Sequence, residues 1–241
     1  YVDGINFRAC NFRNEQTGIT ESSKLGQGII SIDAKYNVTG RCNVILPCCI
    51  DCPEANWTKG TFVGLDHGIH ALNGVTDRAF TVDRCRFENN VLGVFASGMT
   101  NYSVTRNEFE FGERNVVLDG GEDINFEDRH RGVFSYYSSG FRIEENDFAR
   151  DPDANALCDA IVVAQSMDHN DLVYSNTASG MANGYIGEGV CIDPMAASSI
   201  GLQFLCDVNN GNTQNLWARQ NTVLPDLWAQ SIRTQQGSRH A

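Results

Sequence analysis

The chain has 241 residues and a formal net charge of −12 at pH 7. This acidity argues against a nucleic-acid partner, because phosphates are bound by basic patches. No apolar run approaches the roughly 18 residues of a membrane-spanning helix. The 23 Gly and only 5 Pro are typical of a turn-rich all-β chain.

A short pattern recurs along the chain: apolar, any, apolar, any, any, Asn or Cys, any, apolar, with Phe usual at the last position. Its copies are, in chain order, Ile5–Phe12, Phe80–Phe87, Tyr102–Phe109, Phe141–Phe148 and Leu202–Val208. A Gly followed by a β-branched residue stands 14 or 17 residues before the Asn or Cys of four copies, as Gly68-Ile69, Gly93-Val94, Gly132-Val133 and Gly189-Val190. Such regular repetition indicates stacked units that bury their apolar faces against one another.

Alternating apolar positions separated by Gly, Asn and Asp indicate half-buried strands joined by turns. The sequence therefore predicts an all-β, right-handed parallel β-helix, a pectin-lyase-like solenoid of about seven to nine coils that spans residues 1–241 as one domain. The Asn and Cys positions should form an inward ladder, and the Phe positions an aromatic column beside it. The predicted ladder is Cys10, Cys85, Asn107, Asn146 and Cys206, and the predicted column is Phe12, Phe87, Phe109 and Phe148.

Residues 36–57 lack the repeat and are predicted to be a Cys-rich inserted loop. Its four cysteines, Cys42, Cys48, Cys49 and Cys52, could form disulfides or hold zinc, although only Cys49 and Cys52 have the spacing of a zinc knuckle. Cys158 and Cys191 could pair with each other or with neighbouring turns.

Two places offer candidate catalytic residues. Hydrolases of the β-helix class combine several Asp with a Gly-His-Gly motif, and lyases combine calcium-bound carboxylates with an Arg or Lys base. Asp66 and His67 precede Gly68, and His70 follows in the same predicted strand; Arg129, His130 and Arg131 lie beside an acidic segment. No Arg-x-Lys pair and no adjacent Asp pair occur, so the hydrolase set is incomplete.

The acidic excess suggests calcium, which prefers six to eight oxygen ligands. One candidate site comprises Asp119, Glu122, Asp123, Glu127 and Asp128. A second begins at Asp151 and Asp153, but Ala156 stands where a calcium loop needs Gly. Solvated acidic turns are the alternative interpretation of both.

Aromatic residues could form a platform for sugar rings. The candidates are Trp57, Tyr136, Tyr137, Trp217 and Trp228. Trp217 lies in a predicted repeat strand and is expected in the core. The Gly-rich stretch from Gly184 to Gly189 is interpreted as a loop between coils.

The segment Gly201–Asn210, with Asn215-Leu216-Trp217 and Ile232–Gly237, resembles a recurring stretch in large secreted surface proteins of Bacteroidota. In those proteins β-helix domains precede a sorting domain read by the type IX secretion system. The resemblance implies export to the cell surface or medium, other domains of a parent protein as partners, and no catalytic residues. An extracellular location favours disulfides over zinc. We interpret the sequence as a fragment, since neither end supplies a polar capping unit.

Two hypotheses follow. The first is a non-catalytic structural or adhesive segment of a surface protein that contacts a polysaccharide or cell-surface glycan. The second is a polysaccharide lyase or glycoside hydrolase. A row of solvent-facing carboxylates with a basic residue on one coil face would favour the second; we expect the first.

Overall fold

The computed structural model describes residues 2–16, 18–44, 52–74, 79–112, 129–154, 156–166, 171–189, 191 and 201–219. Two short 3-10 helices lie at Ser22–Lys24 and Glu54–Asn56. The strands in these ranges are β1 Val2–Arg8, β2 Asn11–Arg13, β3 Gln27–Ile32, β4 Ala34–Thr39, β5 Arg41–Cys42, β6 Trp57–Thr58, β7 Gly60–Val63, β8 His67–Leu72, β9 Phe80–Asp83, β10 Cys85–Glu88, β11 Leu92–Ser97, β12 Ser103–Thr105, β13 Glu108–Phe111, β14 His130–Tyr136, β15 Arg142–Glu144, β16 Asp147–Arg150, β17 Cys158–Ala164, β18 Asp171–Tyr174, β19 Thr177–Ser179, β20 Asn183–Glu188, β21 Leu202–Leu205, β22 Val208–Asn210 and β23 Gln214–Arg219.

Three parallel sheets of seven strands each account for nearly all of these strands. Sheet 1 has the order β1-β4-β9-β12-β15-β18-β21, sheet 2 the order β2-β7-β10-β13-β16-β19-β22, and sheet 3 the order β3-β8-β11-β14-β17-β20-β23. A complete coil passes through sheet 3, then sheet 1, then sheet 2, and the next coil pairs with it in register. This arrangement is that of a parallel β-helix, so the predicted fold class is confirmed.

The predicted Phe column is present and runs through sheet 2. Phe12, Phe62, Phe87, Phe109 and Phe148 stack face to face with centroid separations of 4.6–4.9 Å. A second column in sheet 1 stacks its rings at 4.9–5.4 Å and consists of Tyr36, Phe80, Tyr102 and Phe141. Both columns belong to one continuous buried core.

The repeated Gly of sheet 3 leaves no room for a side chain, because the Phe of the same coil and a carbonyl oxygen of the next coil both lie too close. A Cβ atom added at Gly93 would lie 2.7 Å from Cε1 of Phe109, and one at Gly68 would lie 2.8 Å from Cδ1 of Phe87. The coil that follows Phe148 differs. There Ala178 pairs with Phe148 and continues the column, and Ala160 is in register with Gly132. The earlier coils thus combine Gly with Phe at these two positions, and the coil after Phe148 combines Ala with Ala.

The inward ladder is confirmed for its central members and differs at its C-terminal end. Backbone N–H groups donate to the side chain one coil further on: Cys85 to Asn107 at 2.8 Å, Asn107 to Asn146 at 3.0 Å, and Asn146 to Asn176 at 3.0 Å. The last described rung is Asp207, which accepts from Asn176. Cys206 was predicted there wrongly: it is exposed and has a left-handed backbone with φ 58°.

The interpretation of Gly184–Gly189 as a loop is wrong. Residues 184–188 lie within β20, in which Asn183 pairs with Asp159 and Tyr185 with Ile161. Gly184 therefore holds the sheet 3 position that the sequence assigned to Gly189. The aromatic Tyr185 replaced the β-branched residue of the pattern and hid the match.

The inserted loop begins later than predicted. Tyr36 and Val38 are core residues of β4, and the antiparallel pair β5–β6 follows. Cys42 and Cys52 form a disulfide, as expected for two of the four clustered cysteines, whereas Cys48 and Cys49 lie outside the described residues. Cys158 and Cys191 are not paired with each other; both are buried thiols.

Candidate functional site

The predicted residues Asp66, His67 and His70 lie together at the start of β8. His67 Nδ1 is 2.8 Å from Asp66 Oδ2, and the two imidazoles stack at 4.6 Å. His70 Nδ1 contacts Gln27 Oε1 at 3.2 Å, and its ring packs on Phe95. Burial, with a smaller effect of His67, lowers the pKa of His70 to about 4. His70 is therefore neutral at physiological pH and packs on the outer face of sheet 3.

Arg129 and Arg131 converge on a carboxylate that the sequence did not single out. Asp159 is 1 % exposed and accepts from Arg129 at 3.1 Å and from Asn183 Nδ2 at 2.6 Å. Arg131 Nε lies 3.9 Å from the other oxygen of Asp159, and its guanidinium lies 5.0 Å from the centre of the Phe134 ring. These contacts pair the buried negative charge of Asp159, which would otherwise be costly to bury.

The two predicted catalytic places share one row on the outer face of sheet 3. His67 pairs with Leu92, Leu92 with Arg131, and Arg131 with Asp159. Leu92 thus separates the His pair from the Arg network. His130 is buried, with Nδ1 3.3 Å from the Asn90 carbonyl oxygen.

The predicted calcium residues Asp119, Glu122, Asp123, Glu127 and Asp128 lie outside the described residues. At the second candidate, Asp151 Oδ1 accepts from the Asp153 backbone N–H in an exposed turn. Among the described residues, no group of three or more His, Cys, Asp and Glu side chains is arranged to hold a metal ion.

A charged row that sequence reasoning missed lies on the outer face of sheet 2; we call it the charged face. It comprises Lys59, Arg86, Glu88, Glu108, Glu110 and Asp147. Lys59 Nζ lies 2.6 Å from Glu108, and one Arg86 nitrogen lies 2.6 Å from Glu110 and 3.5 Å from Glu88. The signal was available, because all of these residues except Lys59 are adjacent to a repeated Phe and must point outward when the Phe points inward.

Asp147 is a carboxyl group of the charged face whose pKa is raised. It pairs in register with Glu108. Burial raises the pKa of Asp147, and the negative charges of Glu108 and Glu110 raise it further, while Lys59 opposes them. The face therefore combines ion-paired carboxylates with one carboxyl group that holds its proton more tightly than usual.

A groove of about 340 Å³ adjoins the charged face. Glu88 and Glu110 line it together with Arg150 and Asp151. Arg150 donates to the carbonyl groups of Ala154 and Gly180, which fixes one wall.

The aromatic candidates that the structure describes do not form one platform. Trp57 lies in the inserted loop, and the Arg84 guanidinium lies over its ring, with Cζ 4.3 Å from the ring centre. Tyr136 and Tyr137 meet edge to face at the end of β14. Trp217 packs partly buried against the outer cluster of sheet 3 rather than in the main core, and Trp228 lies outside the described residues.

No family model, curated protein or solved structure matches this chain. Among the described residues, none of the helices has the length and apolar character needed to cross a membrane.

Proposed function

We propose that this chain is a rigid, non-catalytic segment of a large secreted or cell-surface protein, and that it binds glycans through the charged face. The burial of the candidate catalytic side chains carries the non-catalytic part of the proposal. Asp66, His70 and Arg131 are each less than a tenth exposed and contact other protein groups. Buried, paired groups of this kind hold a structure together rather than meet a polymer.

Rigidity follows from the stacked core. The Phe column and the Asn ladder connect every coil from β7 to β19 by direct contact, so side chains on the outer surface of sheet 2 keep fixed separations. The Cys42–Cys52 disulfide supports a location outside the cell, because such bonds persist in oxidising compartments.

The charged face supports the binding part of the proposal. Glu88, Arg86, Glu108 and Glu110 keep between 36 and 42 % of their side chains exposed. Carboxylates accept hydrogen bonds and guanidinium groups donate them, which suits the hydroxyl groups of sugars. Because carboxylates outnumber basic groups on this face, we expect a neutral polysaccharide rather than a polyuronate.

Retention on immobilised polysaccharides tests this proposal. Wild type should be retarded by at least one neutral polymer, and Arg86→Ala with Glu110→Gln should abolish the retardation. Asn37→Ala, an exposed change on sheet 1, is the matched control and should bind like wild type. Equal retention of the charged-face variant, or no retention on any polymer, would contradict the proposal.

The second candidate function is a polysaccharide lyase or glycoside hydrolase, and the charged face favours it, because it is a row of solvent-facing carboxylates with basic residues on one coil face. We prefer the binding role because the basic groups of this row, Lys59 and Arg86, are held in ion pairs with Glu108 and Glu110. Asp147 and Glu108 face each other across paired strands, and the pKa of Asp147 is raised while Lys59 pairs with Glu108. In hydrolases, a difference in environment between two neighbouring carboxyl groups separates the acid from the base or nucleophile. New reducing ends that disappear with Asp147→Asn and with Glu108→Gln would establish this candidate; their absence on all polymers would exclude it.

A further inference from the structure

The ladder side chains from Cys85 to Asn176 each make a second contact, toward the preceding coil. The donor is the side-chain amide of an Asn or the thiol of Cys85. The acceptor is a main-chain carbonyl of a sheet 1 strand. The four contacts are Cys85 to Val38 at 3.8 Å, Asn107 to Val82 at 3.2 Å, Asn146 to Val104 at 2.9 Å and Asn176 to Ile143 at 2.9 Å. Val38, Val82, Val104 and Ile143 are successive partners in sheet 1.

Asp207 takes the next rung but lacks the donor. Its Oδ1 accepts from Asn176 N at 2.8 Å and from Asn176 Nδ2 at 3.0 Å, as an Asn oxygen would. Its Oδ2 therefore stands in for the amide nitrogen, which in each preceding Asn rung donates to a sheet 1 carbonyl one coil back; for Asp207 the corresponding carbonyl is that of Val173, the partner of Ile143. Oδ2 is buried and has no hydrogen-bond partner. An ionised carboxylate has only acceptors to offer, so it cannot donate to that carbonyl as the Asn rungs do.

We propose that Asp207 is a proton-operated contact between the last two described coils: its protonated Oδ2 donates to the Val173 carbonyl and completes the rung, and loss of that proton weakens the attachment of the final coil. The proton leaves to solvent, and no other bond changes. The ladder geometry carries this proposal, since four preceding rungs place a donor at the equivalent atom.

The surroundings favour the protonated form. Burial raises the pKa of Asp207 to about 6, while the two hydrogen bonds from Asn176 oppose the rise. The Tyr185 hydroxyl lies beside it, 3.1 Å from the Asn176 carbonyl oxygen and 3.5 Å from that of Val208. Burial raises the pKa of Tyr185, and the charges of Asp207 and Asp147 raise it further. Because the pKa of Asp207 exceeds its ordinary value of 3.8, its contribution to stability is complete below about pH 4 and is lost as the pH rises through about 6.

The test compares Asp207→Asn with wild type between pH 4 and pH 8. Asn supplies the missing donor at every pH, so the two proteins should have similar folding constants at pH 4. At pH 8 the variant should be roughly 10- to 100-fold more favoured toward the folded state, since each unit of pKa difference is a factor of ten. The difference between proteins is the readout, because His70 and other groups titrate in both.

Asp151→Asn, in an exposed turn, is the matched control, and its difference from wild type should vary between pH 4 and pH 8 by far less than that of Asp207→Asn. A pH-independent difference for Asp207→Asn, or a variant less stable than wild type at pH 8, would overturn the proposal. The titration of the Asp207 carboxyl carbon by NMR in wild type gives a second readout that needs no variant: a midpoint near 6 supports the proposal, and one near 4 overturns it.

Discussion

Replacing Gly93 by Ala should destabilise the protein, because the Phe column occupies the space of a Cβ atom at that position. The added atom would lie 2.7 Å from Cε1 of Phe109 and 2.5 Å from the Gly132 carbonyl oxygen. Overpacking of this kind costs about 1–3 kcal/mol. Phe109 is 1 % exposed and stacks on Phe87 and Phe148, so Phe109→Ala should cost about 3–5 kcal/mol.

The double variant Gly93→Ala/Phe109→Ala reproduces the combination that the chain itself uses at Ala160 and Ala178. Since the truncated ring no longer meets the new Cβ, the double variant should be less destabilised than the sum of the single variants, by about 1 kcal/mol or more. Urea unfolding of all four proteins measures this coupling. Gly93→Ala/Phe141→Ala is the control, because Phe141 is not among the atoms nearest to Gly93, and it should be additive. Additivity for the Phe109 pair would refute the reasoning.

Three further predictions concern the ladder, the inserted loop and the His pair. Asn146→Ala removes side-chain hydrogen bonds to Asn107, Val104 and Asn176 and leaves the buried N–H of Asn107 unpaired, so urea unfolding should show a free energy of unfolding lower by about 3 kcal/mol or more. The exposed Asn37→Ala should lower it by less than about 1 kcal/mol, and equal losses would contradict a structural ladder. Cys42→Ser opens the disulfide loop and should lower the melting temperature under oxidising conditions but not in reductant, where an unchanged difference would contradict the assignment. The pKa of His70 is lowered to about 4, below its ordinary value of 6.5, so its contribution to stability is complete above about pH 6.5 and is lost as the pH falls toward 4; melting curves of His70→Gln should lack this acid-dependent part, and an identical pH profile would contradict it.

The stacked fold could be predicted because an Asn or Cys followed two positions later by Phe, as at Asn107 and Phe109, recurs along the chain, and both side chains point into the core. The coil that contains Asp171, Asn176 and Ala178 was missed, since Asp171 stands at an apolar position and Ala178 replaces the Phe. The ladder was misplaced by one residue at Cys206, because the last inward residue of that coil is the polar Asn209 and the pattern was aligned on Val208. A local apolar pattern does not identify positions where a polar or small residue replaces the usual one. The pairing of each strand with the neighbouring coil does identify them.

The candidate site was harder to predict than the fold. The proximity of His67 to Asp66 could be read from sequence, but the pairing of Arg129 with Asp159 joins residues 30 positions apart. The charged face required knowing that Arg86 and Glu110 lie on adjacent coils, which depends on the length of the connection between them. Once the Phe column is assigned, the flanking charges could have been placed on the outer surface.

The most direct test of the proposed function is incubation of the wild-type chain with neutral and acidic polysaccharides, with and without calcium, while new reducing ends, unsaturated products and retention on the polymer are recorded together. The account predicts retention on a neutral polymer without either product. Cleavage that is lost in Asp147→Asn, or in a variant of His67 or Arg131, would contradict it and locate a catalytic site on the corresponding sheet.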